Sequence, residues 1–135
     1  MAQFVADTSA WRRSGQVEHR WSVLIESGEL ALCGPVKLEL LYSAPSKAKY
    51  AELSWYLAGF PSLPVDGRVE AIAERVQREL AKRSQHRGAT PVDLLVAAVA
   101  QVHGATLLHY DRHFDPIARV TGQPAEWIAR RGSLD

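Results

Sequence analysis

Four acids in this 135-residue chain stand where a carboxylate needs a reason. Asp7 directly follows the apolar run Gln3 to Ala6, and Asp111 directly follows Thr106 to Tyr110. Glu39 lies inside Val36-Lys37-Leu38-Glu39-Leu40-Leu41-Tyr42, a segment apolar almost all round. Asp93 opens the most hydrophobic stretch of the chain, Thr90-Pro91-Val92-Asp93-Leu94-Leu95-Val96-Ala97-Ala98-Val99. An unpaired charge in such surroundings is expensive. Each acid also has a purely structural explanation. Asp7 suits a helix cap and Asp111 a turn. Thr90-x-x-Asp93 has the form of a capping box, and Glu39 has Lys37 or an arginine as a partner. Carboxylates brought together resist ionising, and a divalent cation relieves them. Mg²⁺ and Mn²⁺ prefer oxygen ligands and often share them with phosphate. Such a cation suits phosphoryl chemistry, because it polarises phosphate and lowers the pKa of water.

The elements that must position these acids follow from periodicity and punctuation. Short apolar runs predict strands at Gln3 to Ala6, Leu30 to Cys33, Leu63 to Val65, Thr106 to His109 and Glu126 to Ile128. Between them, helical spacing predicts helices within Trp11 to Glu26, Val36 to Ala44 and Lys47 to Ala58. Three more are expected from Val69 through Leu80, from Thr90-Pro91 to Val102, and over Arg112 to Val120. Strands alternating with helices predict an α/β fold, a parallel sheet with helices on both faces. Ligands of such sheets bind beyond the carboxyl ends of the strands, where Asp7 and Asp111 fall. No tract separates domains, so residues 1–135 are expected to form a single domain.

In order, Val5-Ala6-Asp7-Thr8-Ser9-Ala10, Pro35-Val36-Lys37-Leu38-Glu39-Leu40-Leu41, Asp93-Leu94-Leu95-Val96-Ala97-Ala98-Val99-Ala100 and His109-Tyr110-Asp111-Arg112-His113-Phe114-Asp115 resemble the motifs of PIN-domain ribonucleases. More narrowly they resemble the VapC toxins of bacterial VapBC toxin–antitoxin pairs. The four acids are separated by 32, 54 and 18 residues, and the resemblance extends from residue 4 to about residue 134. It implies a three-layer α/β/α sandwich with a short central parallel sheet. It implies an endoribonuclease dependent on Mg²⁺, with Mn²⁺ as substitute, that hydrolyses RNA phosphodiesters by metal-activated water. Carried over by position, Asp7, Glu39, Asp93 and Asp111 are the catalytic and metal-holding quartet. Asp115 matches a further metal-site acid, and Thr8 and Ser9 match supporting hydrogen-bonding residues. A cognate VapB-like antitoxin, a homodimer and a toxin–antitoxin hetero-oligomer are implied as well.

Net charge is +1, which alone says little. With the five site acids set aside, sixteen Lys and Arg face ten Asp and Glu, an excess of six that suits RNA phosphates. Arg12, Arg13, Arg112 and His113 adjoin the site motifs and are candidate phosphate contacts. Trp55, Tyr56 and Phe60 belong either to the core or to an apolar patch for a partner. No apolar run is long enough to span a bilayer and no signal segment is visible, so a cytoplasmic protein without membrane contact is expected. The single cysteine, Cys33, excludes a disulfide framework. His109 and His113 lack the acid of a zinc helix motif, and there is no Gly-rich phosphate loop or nucleophile elbow. Two other readings share acids at a sheet edge: a phospho-receiver-like regulatory module and a catalytically silent metal-binding module. The first needs a lysine at a strand end, yet Lys37, Lys47, Lys49 and Lys82 all fall on expected helices. An aspartate-nucleophile phosphohydrolase would show Asp-x-Asp, and Ser9 stands two after Asp7.

Overall fold

In the computed structural model, residues 3–135 are described. The order is β1 (Phe4–Ala6), α1 (Thr8–Arg12), a 3₁₀ turn (Ser14–Gln16), α2 (Glu18–Glu26), β2 (Leu30–Cys33), α3 (Gly34–Tyr42), α4 (Lys47–Leu57), β3 (Ser62–Leu63), α5 (Gly67–Lys82), α6 (Pro91–Val102), β4 (Thr106–His109), α7 (Phe114–Thr121) and β5 (Ala125–Trp127). All strand pairs are parallel, in the order β3-β2-β1-β4-β5. The α/β class expected from the sequence is therefore what forms. The strands are two to four residues long, and β1, β2 and β4 are almost wholly buried. Strands covered on both faces read as unbroken apolar runs, which is why they were visible in sequence.

Right-handed crossovers place α1 to α4 on one face of the sheet and α5 to α7 on the other. The chain leaves β1 in one direction and returns to its other side at β4, so the strand order reverses between β1 and β4. Parallel-sheet crevices open at this kind of reversal. Helices run antiparallel to the strands they connect. The N-termini of α3 and α6 therefore lie at the carboxyl edge, beside Asp7 and Asp111.

The helix expected within Trp11 to Glu26 is α2, Glu18–Glu26. The chain forms α1, then a 3₁₀ turn containing Gly15, then α2. Trp11 and Trp21 still pack together, edge to face at 4.9 Å, and Phe60 meets Trp11 at 5.0 Å. β3 lies earlier than Leu63 to Val65, because Asp66 caps α5 with bonds from Arg68 N and Val69 N and draws Val65 out of the ladder. β5 likewise ends at Trp127, although Ile128 N still donates to His109 O at 2.8 Å. The four lysines fall on helices α3, α4 and α5 as expected. At the end of α7, Gly122 takes φ +69° and its N–H reaches Ala118 O at 2.8 Å. Only glycine enters that left-handed region without strain.

The apolar segment around Glu39 is not buried all round. Leu40 and Leu41 enter the core, but Leu38 is 69% and Tyr42 92% exposed. Trp55 is 82% exposed, and Tyr56 is also exposed, so these two belong to the surface; Phe60 is half-buried against the core. Phe114 is fully buried and packs on His109 at 5.1 Å. Phe114→Ala is expected to cost about 3–5 kcal/mol, read from urea unfolding. A loss under about 1 kcal/mol would show that α7 does not depend on this anchor.

Candidate functional site

Asp7 sits at the end of β1, in a position set by the sheet: its N–H donates to Leu108 O at 3.0 Å. The backbone then turns into α1, which Asp7 caps through Ala10 N to Oδ1 at 3.3 Å. Ser9 Oγ donates to the same oxygen at 2.7 Å and accepts from Tyr110 N at 2.8 Å. One hydroxyl thus ties the ends of β1 and β4 together beside Asp111. Thr8 Oγ1 donates to Glu39 Oε1 at 2.6 Å, joining α1 to α3. The supporting positions Thr8 and Ser9 therefore each hold one of the acids.

Asp93 completes a capping box. Its Oδ2 accepts from Thr90 N at 2.9 Å, and its own N–H donates to Thr90 Oγ1 at 3.2 Å. Asp111 Oδ1 accepts from His113 N, and His113 Nδ1 lies 2.9 Å from the same oxygen. A pattern emerges among the described residues. Asp7, Glu39, Asp93 and Asp111 each place their protein hydrogen bonds on a single carboxylate oxygen. The structural and chemical readings of these acids are not rivals. One oxygen fixes the side chain, and the other accepts no hydrogen bond from the described residues.

The acids share an electrostatic field. Asp7 is 4% exposed. Burial pushes its carboxyl up to about 7, against the bonds from Ser9 and Ala10, and the charge of Asp93 adds to the rise. Asp93 is also raised, first by burial, with Asp111 and Glu39 contributing. Among the described residues, no three Asp, Glu, His or Cys side chains are close enough to form a closed metal cage. The donor set still fits a hard cation: all oxygen, partly desolvated, and crowded with like charge. Asp115 stands apart from the quartet's contacts and pairs with Arg131 at 3.8 Å.

The candidate phosphate contacts divide. Arg12 lines a groove with Glu39, Leu38 and Tyr42. Arg13 lies over the ring of Tyr110, 4.5 Å from its centroid, and shares a second cleft with Asp111 and Arg112. His113 is held against Asp111. That second cleft also contains Trp127 and Arg131, which the sequence reading did not single out. Trp127 ends β5 and Arg131 follows in the irregular tail, so their spacing of four residues carries no helical signal.

Residues 4–120 match the PIN domain family. Ribonuclease VapC18 of Mycobacterium tuberculosis (strain ATCC 25618 / H37Rv) is 40% identical over 135 residues, covering 97% of this chain and 98% of its own. Ribonuclease VapC51 of the same strain is 38% identical, covering 98% of both chains. The chain belongs to the VapC ribonucleases of the PIN-domain family. The fold agrees with solved VapC-containing structures. DNA-bound VapBC from Salmonella typhimurium superposes with a TM-score of 0.76 at 18% identity, covering 94% of this chain and 98% of that one. VapBC-5 from Mycobacterium tuberculosis gives 0.60 at 24% identity, covering 93% and 98%.

The buried acid gives this VapC-family chain a pH signature. Asp7 has a folded pKa of about 7, above its ordinary 3.8. The linked stability is complete below the ordinary value and is lost as pH rises through 7. Without divalent cations, Asp7→Asn is expected to melt higher than wild type at pH 8, by on the order of 5 °C, with the gap closing toward pH 4. Melting curves at several pH values check this, and a gap independent of pH would contradict it.

Proposed function

We propose that the chain is the toxin of a type II toxin–antitoxin pair. It acts as one domain spanning residues 1–135 and is an endoribonuclease that uses Mg²⁺, with Mn²⁺ as substitute. The observation that supports this best is the quartet at the strand reversal, each acid fixed by one oxygen. Family membership supplies the reaction class. Asp7 and Asp93, the two acids whose carboxyls are raised, are the principal metal holders. Glu39 and Asp111 complete the oxygen set, and Asp115 stands by as a further acid. A cation held by these acids would supply polarisation of the phosphodiester and a lowered pKa for water. The protein's own part is positioning. Ser9 fixes Asp7 against the end of β4, Thr8 fixes Glu39, and the Thr90 capping box fixes Asp93. Hydrolysis of this kind leaves a 5′-phosphate and a 3′-hydroxyl and does not use the ribose 2′-hydroxyl.

The exposed Leu38 and Tyr42 beside Glu39, together with Trp55 and Tyr56, provide apolar surface for a VapB-like antitoxin and for a second copy of the toxin. Solved relatives are named as VapBC, which supports the antitoxin pairing. The described residues contain no helix long and apolar enough to cross a membrane, which suits a cytoplasmic toxin.

Purified protein freed of partner is expected to cut total cellular RNA into discrete fragments with Mg²⁺ or Mn²⁺, and not with EDTA. Asp7→Asn keeps the side chain's size and is expected to lower the rate at least about 100-fold. Full retained cleavage in that variant would overturn the role of Asp7. Thr8→Val keeps Asp7 and removes the bond to Glu39. It is expected to slow cleavage about tenfold while leaving the melting temperature within a few degrees.

A further inference from the structure

The cleft on the β5 side of Asp111 is built from side chains held ready for an anion. It has a volume of about 280 Å³ and is lined by Arg13, Tyr110, Asp111, Arg112, Trp127, Arg131 and Asp135, among others. Three guanidinium groups thus face two carboxylates. Arg13 lies over Tyr110 at 4.5 Å, and Arg131 lies over Trp127 at 5.6 Å. Attraction between a guanidinium and an aromatic ring leaves the N–H donors free for other partners. Those donors match phosphate oxygens two at a time. Among the described residues, neither Arg13 nor Arg112 donates a side-chain hydrogen bond. Arg131 has the single loose ion pair with Asp115, at 3.8 Å.

The rings beneath these cations are themselves fixed. Tyr110 is 7% exposed, and its hydroxyl accepts from Leu134 N at 2.9 Å. Its ring meets Trp127 edge to face at 5.4 Å. The backbone carrying Trp127 is clasped by Arg20, which donates to Trp127 O at 3.1 Å and Ile128 O at 2.7 Å and pairs with Glu126 at 2.9 Å. Gln16 donates to Leu134 O at 3.2 Å. Residues after β5 are thereby folded back beside the acid at the end of β4. A loosely solvated tail would need none of these bonds.

We propose that this cleft is a phosphate subsite for RNA, holding a backbone phosphate next to the scissile one. Arg13 and Arg131 are the contacts seated over rings, and Arg112 is an exposed third. Tyr110 and Trp127 are positioning residues that act through the two arginines. The subsite rests on the ribonuclease reading, since it assigns Asp111 to the adjoining reaction centre. Its position sets the register of the strand: the phosphate beside the cut is gripped by charge, with no base read at this point.

The test uses the full chain and a fluorescein-labelled, mixed-sequence, 12-nucleotide single-stranded RNA in EDTA, so that nothing is cut. Affinity is read by anisotropy across 50–200 mM salt. Arg13→Gln and Arg131→Gln are each expected to weaken binding about tenfold and to reduce the slope of log K against log salt by about 0.7. Arg78→Gln, on the far side of α5 where Arg78 pairs with Glu74, is expected to change neither. Arg131→Lys is expected to restore the slope but only part of the affinity, because lysine keeps the charge and loses the fork. Melting temperatures accompany each variant, so that a misfolded one is replaced by its lysine counterpart. Affinities and slopes equal to those of Arg78→Gln would overturn the subsite. Metal-dependent cleavage by wild type is measured alongside. Cleavage with unaltered slopes removes the subsite and leaves the nuclease. Altered slopes without cleavage remove the nuclease and leave a phosphate cleft.

Discussion

A carboxylate held almost out of water at the end of a central strand is the constraint on which this structure turns. Asp7 is fixed by the ladder that joins β1 to β4, so it cannot retreat to solvent. Its surroundings must then supply compensation. Ser9 and Ala10 donate to one oxygen, and the remaining cost appears as a carboxyl pushed up to about 7. A fold selected for stability alone would place an amide or a hydroxyl there. An acid there costs stability, and the metal site proposed above would account for that cost.

The surrounding contacts follow from that placement. Ser9 also receives Tyr110 N, so the joint that steadies Asp7 sets the position of Asp111. Thr8, one residue earlier, performs the matching service for Glu39. Tyr110 then organises the opposite side, with its ring under Arg13 and its hydroxyl on the returning tail. Three consecutive residues after β1 and two after β4 thus link an acidic crevice to a basic cleft. The short strands make this possible. Strands only three or four residues long bring α1, α3 and α6 within reach of one another.

The sequence was most legible where burial left a simple signature. β2, β4 and α6 are nearly continuous apolar runs, and their bounds were found as Leu30 to Cys33, Thr106 to His109 and the Thr90-Pro91 start. Asp7, Glu39, Asp93 and Asp111 stood out because acids are costly in such runs. Legibility failed for the short α1 and the turn at Gly15, which precede the periodic residues Val17, Trp21, Leu24 and Ile25 that placed α2. It failed again at Leu38 and Tyr42, whose apolar character belongs to an exposed face and not to the core. Trp127 and Arg131 fell within the resembling tail but carried no site role, because the contacts of Trp127 with Arg20 and Tyr110 are long-range and no spacing encodes them.

The central claim is that the shared field of the acids exists to hold a divalent cation. Calorimetric titration of Mn²⁺ into the partner-free protein at pH 7, in two buffers of different ionisation enthalpy, tests it directly. Since Asp7 has a pKa of about 7, binding should displace about half a proton per site. That release should vanish in Asp7→Asn, together with most of the affinity. Mn²⁺ binding with no proton release, or binding equally tight in the variant, would show that the buried acid is not part of a metal site.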